Sequence, residues 1–188
     1  MIRTVIFDLG RTLVPFSFDR LRPSLDGCRE AALAWMAPLE TGVGDWDAFV
    51  ATLGSRVGVT AGEFEAWWCG IFDLQPLISP QWLTELRRTY RLGLLSNTNA
   101  CHFGFLRREM PWLEGFDFHV LSYEVGAVKP QPEIYAAAER QAACQPGEIL
   151  YFDDVPEFVA AAARRGWRAE QFADEAAARA AVHRWTQP

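Results

Sequence analysis

Four groups of polar residues, far apart along the chain, are of types that together transfer a phosphoryl group. They are Asp8, the pair Ser96-Asn97, Lys129, and the pair Asp153-Asp154. A carboxylate such as Asp8 can attack phosphorus and carry the group as an aspartyl-phosphate. Three carboxylates around one point repel each other unless a cation sits among them, and Mg²⁺ takes oxygen ligands while keeping several waters. A lysine and a hydroxyl nearby hold the remaining phosphoryl oxygens and offset the transferring charge. The set therefore predicts Asp8 as nucleophile, Lys129 and Ser96 on the phosphoryl group, and Mg²⁺ held by the acids.

Such a site needs elements that bring the four groups together. Asp8 lies at the end of an apolar strand over residues 2–9 and enters a loop built around Gly10. Leu92-Gly93-Leu94-Leu95 runs into Ser96-Asn97, His119-Val120-Leu121-Ser122 precedes the loop to Lys129, and Glu148–Phe152 delivers Asp153-Asp154. Continuous apolar runs of this kind are the pattern of buried parallel strands. Between them the spacing predicts helices. Ser79 caps a helix whose buried face is Trp82, Leu83, Leu86 and Tyr90, with Pro80 in its first turn. An irregular helix covers Phe103–Met110, an Ala-rich one covers 132–143, and another covers 156–165 and stops at Gly166. A fifth strand over 167–172 and a closing helix over 175–185 complete the pattern. Strands alternating with helices give an α/β fold, a parallel sheet with helices on both faces. Its strand ends open on one crevice, where ligands bind.

Residues 15–78 break this alternation. Proline and glycine punctuate short helical segments, the clearest beginning at Thr60 with Glu63 three residues on, a capping-box signature. Phe64, Trp67, Trp68, Ile71 and Phe72 follow at helical spacing, which predicts a packed face rather than an aromatic ligand platform. The segment reads as a helical insertion.

Composition narrows the partners. The 188 residues are half hydrophobic and carry a net charge of -6 without a basic block, which argues against a nucleic-acid partner. No apolar run is long enough to span a membrane. The N-terminus enters a strand without a signal-peptide pattern, and the four cysteines (Cys28, Cys69, Cys101, Cys144) show no CxxC spacing. A cytoplasmic location with reduced thiols and no zinc site is the expectation.

Four stretches carry a resemblance: Phe7-Asp8-Leu9-Gly10-Arg11-Thr12-Leu13, Leu95-Ser96-Asn97-Thr98-Asn99, Gly126 to Tyr135 around Lys129-Pro130, and Tyr151-Phe152-Asp153-Asp154. In this order they resemble the motifs of the haloacid dehalogenase-like hydrolases, with a flavour similar to a bacterial branch that includes α-D-glucose-1-phosphate phosphatase. The resemblance implies a Rossmann-like three-layer α/β/α core over 1–14 and 79–188 and a helical cap over 15–78. It implies a Mg²⁺-dependent phosphomonoester hydrolase acting on a small phosphorylated metabolite, such as a sugar phosphate. By the same resemblance Asp8 is the nucleophile and Thr12 supports its loop on the phosphate side. Ser96 and the Asn97 backbone bind phosphate, and Lys129 contacts both phosphate and nucleophile. Asp154 is the principal metal ligand, assisted by Asp153, Asp8 and the Gly10 carbonyl.

Two positions depart from the pattern. Where these phosphatases usually carry a second Asp as general acid and base, this chain has Gly10, which keeps the carbonyl and removes the carboxyl. Such catalysis is worth roughly 10²–10⁴-fold. Relatives often place Asn or Asp where Phe158 stands, with Glu157 a substitute only in a shifted helix register. These departures keep open a non-catalytic binding or regulatory protein on the same fold; a metal-independent 2-haloacid dehalogenase is a further alternative, against which the Asp153-Asp154 pair argues. Specificity is expected from Phe16, Phe18, Asp19, Arg20 and Arg22, which follow the first loop; His102 and His119 are weaker ligand candidates.

Overall fold

The computed structural model describes residues 1–21 and 29–187. Arg22, Pro23 and Cys28 lie outside the described residues. Five parallel strands form one sheet: β1 (Thr4–Phe7), β2 (Arg91–Ser96), β3 (Phe118–Leu121), β4 (Ile149–Asp153) and β5 (Arg168–Gln171), in the order β3-β2-β1-β4-β5. β1 is central, with Phe7 opposite Leu94 on one side and Phe152 on the other. That register places Asp8 between the ends of β2 and β4. The strands fall where the apolar runs predict them, with ends displaced by one or two residues.

Alternation along the strands sorts the core into two layers. Val5, Phe7, Leu92, Leu94, Leu150 and Phe152 are buried against α5 (Pro80–Arg87), α6 (Ala100–Glu109) and α10 (Glu175–Thr186). Ile6, Leu95, Val120 and Tyr151 face α8 (Pro132–Ala142) and α9 (Pro156–Arg164). The small faces of the Ala-rich helices, Ala137, Ala138, Ala161 and Ala162, let those helices sit close to the sheet. Glycine at 166 adopts φ +89° and ends α9, as its position predicts.

Between β1 and α5 stand α1 (Arg29–Ala34), α2 (Met36–Glu40), α3 (Trp46–Val57) and α4 (Ala61–Cys69), which share an apolar core of their own. Phe49 is its hub, with ring centroids of Phe64 and Trp68 each 5.0 Å away. Phe64, Trp67, Trp68 and Ile71 are buried there, so the aromatic face is packing, as expected. The capping box forms: the Thr60 hydroxyl accepts from the Glu63 N–H and Glu63 accepts from the Thr60 N–H at 2.8 Å. The chain leaves and re-enters the sheet layer side by side. Ser17 N–H donates to the Ile71 carbonyl and Asp73 N–H to the Pro15 carbonyl, around an antiparallel bridge between Phe16 and Phe72.

Two local expectations are corrected. Ser79 holds the N-cap position of α5 ahead of Pro80, as predicted, but its side chain does not bond back to the helix; its N–H and hydroxyl both donate to Glu175 at the start of α10, at 2.6 and 3.1 Å. α6 is a regular helix rather than an irregular one, because Asn99 caps it by accepting from the His102 N–H. A short helix, α7 (Ser122–Val125), then follows β3 directly. Among the described residues no helix is long and apolar enough to cross a membrane.

Candidate active site

Asp8 leaves the end of β1 with its N–H bonded to the Phe152 carbonyl, which fixes its backbone to β4. Lys129 approaches from the loop between α7 and α8 and is the hub of the polar cluster. Its Nζ donates to Asp8 Oδ1 at 2.6 Å, to Asp153 Oδ2 at 2.7 Å, to the Leu95 carbonyl at 3.1 Å and to the Tyr151 hydroxyl at 3.3 Å. Tyr151 in turn donates to Asp153 Oδ2, whose other oxygen accepts from the Val155 N–H. Asp8, Asp153 and Lys129 are all buried. A buried cation between two carboxylates holds its partners in one geometry, since separating any of them leaves an uncompensated charge.

Two residues position the lysine. Asn97 clamps its backbone, accepting the Lys129 N–H at 2.7 Å on Oδ1 and donating from Nδ2 to the Lys129 carbonyl at 3.1 Å. The side chain of Asn97 is thus spent on the lysine loop. Phe158 lies with its ring centroid 5.0 Å from the Lys129 ammonium, a cation–π distance. The aromatic residue at this departure from the family pattern therefore covers the lysine. Glu157 is exposed on α9 and does not replace the missing acid.

Carboxylate oxygens of Asp8, Asp153 and Asp154 lie within 4.8 Å of one another. Burial raises the Asp8 carboxyl to about 7 against the pull of Lys129, with Asp153 and Asp154 pushing it further up. Burial and then Asp153 also raise Asp154. For Lys129, burial opposes the charge, but Asp8 and Asp153 outweigh it and hold the ammonium above its ordinary value. Three clustered oxygen donors with one lysine leave excess negative charge, and a divalent cation is the partner that chemistry fits.

The left-handed residue of the loop after Asp8 is Arg11, at φ +59°, rather than Gly10. Glycine at position 10 is required by a close approach: a β-carbon there would lie 2.6 Å from Phe16 Cε1. The Phe16 ring thus occupies the space next to Gly10. Thr12 is fully buried, and its hydroxyl has no hydrogen-bond partner among the described residues. Ser96 is buried at the end of β2, its hydroxyl 3.4 Å from the Asn97 carbonyl.

Of the residues expected to set specificity, Phe16 and Phe18 line a cavity of about 100 Å³ beside Gly10, Ser96 and Asn97. Arg20 turns away to pair with Asp73 at 3.3 Å, and Asp19 lies by the Ser17 hydroxyl. The two histidines are structural. His102 is buried on the Trp68 ring, and His119 Nε2 meets the Leu113 carbonyl at 3.1 Å. A larger cavity of about 420 Å³ lies at the seam of the insertion and α6. It touches none of Asp8, Ser96, Lys129, Asp153 or Asp154, whereas the smaller one is lined by Gly10, Ser96 and Asn97.

Three residues around the site are not indicated by the sequence motifs: Tyr151 and Ser122, which bond to its polar groups, and Glu40, which lines the cavity. Tyr151 is two residues before Asp153 on β4, and that spacing on one face of a strand was the available signal. Ser122 bonds both the N–H and the carbonyl of Thr98 at 3.0 Å, tying the Ser96 loop to α7. Glu40 had no signal, being brought to the cavity only by the packing of α2.

A carboxylate-and-lysine cluster at the strand ends of a parallel sheet fits a hydrolase, and the family to which most of the chain matches is one. The protein belongs to the haloacid dehalogenase-like hydrolase family, whose model matches residues 2–166. It is 29% identical to D-ribitol-5-phosphate phosphatase of Bacteroides thetaiotaomicron, over 82% of this chain and 84% of that protein. A HAD-like family hydrolase from Porphyromonas gingivalis shares the fold with a TM-score of 0.80 and 26% identity over all of both chains. A HAD family enzyme from B. thetaiotaomicron, crystallised with magnesium and inorganic phosphate, gives a TM-score of 0.78 at 24% identity, over 92% of this chain and 93% of its own.

Proposed function

We propose that this protein is a Mg²⁺-dependent phosphomonoester hydrolase of a small phosphorylated metabolite, a sugar or polyol phosphate. The observation that carries the reading is the cluster of Asp8, Asp153 and Asp154 around Lys129 at the carboxyl end of the central strand. The likeness to a D-ribitol-5-phosphate phosphatase supports the substrate class. Asp8 attacks phosphorus and carries the aspartyl-phosphate, which water then hydrolyses. Lys129 orients Asp8 and, with the Ser96 hydroxyl, meets the phosphoryl oxygens. Asn97 holds the lysine loop, and the buried Thr12 supports the loop that follows the nucleophile. Asp154, Asp8, the Gly10 carbonyl and, through its neighbours, Asp153 would hold a Mg²⁺ ion, which would supply charge neutralisation for the transferring group. Residues 15–78 form a helical cap that shields the crevice from water, on a core of 1–14 and 79–188.

Phosphate release from a panel of phosphorylated metabolites, with Mg²⁺ and with chelator, tests the reading. Release that needs Mg²⁺ and disappears in Asp8→Asn is the expected result. Undiminished turnover in that variant overturns the nucleophile. Halide release from 2-haloacids in chelator would make the protein a dehalogenase instead, and phosphate binding without turnover of any ester would make it a binding protein.

A further inference from the structure

The hydrolysis proposed above lacks a proton donor for the leaving oxygen, because Gly10 has no side chain and the Phe16 ring fills the space beside it. The cavity next to Gly10 shows where a donor stands. It is bounded by Gly10, Ser96 and Asn97 on the sheet side and by Met36 and Glu40 on the insertion, with His102 on its wall. Among the described residues lining it, Glu40 and His102 are the titratable ones. Both nitrogens of His102 are engaged: Nδ1 with Asn99 Nδ2 at 3.0 Å and Nε2 with the Trp68 carbonyl at 3.2 Å. Burial lowers this imidazole to about 4, so it is neutral near pH 7, with its one N–H held by the Trp68 carbonyl.

Glu40 is differently placed. It ends α2, four residues after Met36, so both side chains share the helix face turned to the cavity. The turn behind it is fixed. Gly42 has φ +72°, and a β-carbon there would fall 2.2 Å from the Tyr123 carbonyl oxygen, so the backbone sits directly on α7. The Glu40 carboxyl makes no hydrogen bond among the described residues, and Lys129 is the charge near enough to act on it.

We propose that Glu40 is the general acid and base of this site, an inference that rests on the phosphomonoesterase reading. In the first step Asp8 bonds to phosphorus, the ester P–O bond breaks, and the Glu40 proton passes to the leaving oxygen to give the free alcohol. In the second, a water oxygen bonds to phosphorus and its proton passes to the Glu40 carboxylate. The bond to Asp8 breaks, and inorganic phosphate leaves. Burial raises this carboxyl to about 7 against the pull of Lys129, which suits a group that must give and take a proton near neutrality. The neighbours of α2 carry few other charges: α7 bears Tyr123 and Glu124, and α1 bears Arg29 and Glu30, the latter exposed.

Comparison of two esters tests this. Ribitol 5-phosphate needs its leaving alkoxide protonated, whereas the nitrophenolate of p-nitrophenyl phosphate does not. In Glu40→Gln, kcat/KM for ribitol 5-phosphate should fall by about 100-fold or more, while that for p-nitrophenyl phosphate changes by less than about tenfold. Nitrophenolate should then appear in a burst, because loss of the base slows hydrolysis of the aspartyl-phosphate. The wild-type rate on ribitol 5-phosphate should decline above neutral pH, a limb absent in Glu40→Gln, and Glu40→Asp should recover part of the loss. An equal fall on both esters, or on neither, overturns the role of Glu40 while Asp8→Asn still abolishes turnover. If Asp8→Asn keeps its activity, or the wild type hydrolyses neither ester with Mg²⁺, the phosphatase reading itself fails and takes this inference with it.

Discussion

Gly10 and Phe16 share one space: a β-carbon at residue 10 would lie 2.6 Å from the Phe16 ring, which also carries the Arg11 guanidinium 4.9 Å from its centroid. Restoring the usual acid at position 10 therefore conflicts with the ring. Gly10→Ala should lose about 1–3 kcal/mol to overpacking, and Gly10→Asp should not raise activity. Adding Phe16→Ala should relieve the clash, so that the two changes are non-additive by at least about 0.5 kcal/mol in urea denaturation.

Removing the lysine at the centre of the cluster leaves Asp8 and Asp153 buried without their cation. Lys129→Met should cost about 3–5 kcal/mol of stability as well as all turnover. Chemical denaturation of the purified variant measures the first, and phosphate release the second.

Glu40 and His102, on one cavity wall, should tilt stability with pH in opposite senses. Glu40 is raised to about 7 in the folded state, so its contribution is complete below its unfolded value of 4.5 and is lost as pH rises through 7. Between pH 5 and 8 wild type should therefore lose on the order of 2 kcal/mol that Glu40→Gln does not lose, a figure reduced for partial exposure. His102 is lowered to about 4, so its contribution is present above its unfolded value of 6.5 and is lost as pH falls through 4. From pH 7 to 4 wild type should lose about 3 kcal/mol that His102→Gln does not lose. Urea midpoints across this range, read for the three proteins together, check both signs.

The start of α5 depends on a residue far along the chain. Glu175→Ala strips acceptors from both the Ser79 N–H and its hydroxyl, and should cost about 1–2 kcal/mol. Ser79→Ala keeps the backbone bond and should cost less than about 1 kcal/mol. Thermal melts that rank the two variants the other way would mean that Ser79 caps its own helix after all.

Features whose partners lie close along the chain are legible in the residues themselves. Apolar runs marked the strands, and because parallel strands end on one edge, Asp8, Ser96, Lys129 and Asp153-Asp154 could be assigned to one crevice. The Thr60–Glu63 box and the Gly166 stop were equally legible, since their partners are three or four residues apart. Tertiary structure decided the rest. Ser79 serves Glu175 rather than its own helix across 96 residues, Asn97 grips the Lys129 backbone across 32, and Phe158 covers the ammonium that its type gave no reason to meet. Glu40 reaches the cavity because Gly42 lets α2 lie on α7. The physical reason is common to all four. Periodicity and caps are set by neighbours in the chain, whereas a carboxyl, a ring or an amide finds its partner only after helices and sheet have packed and fixed which faces meet.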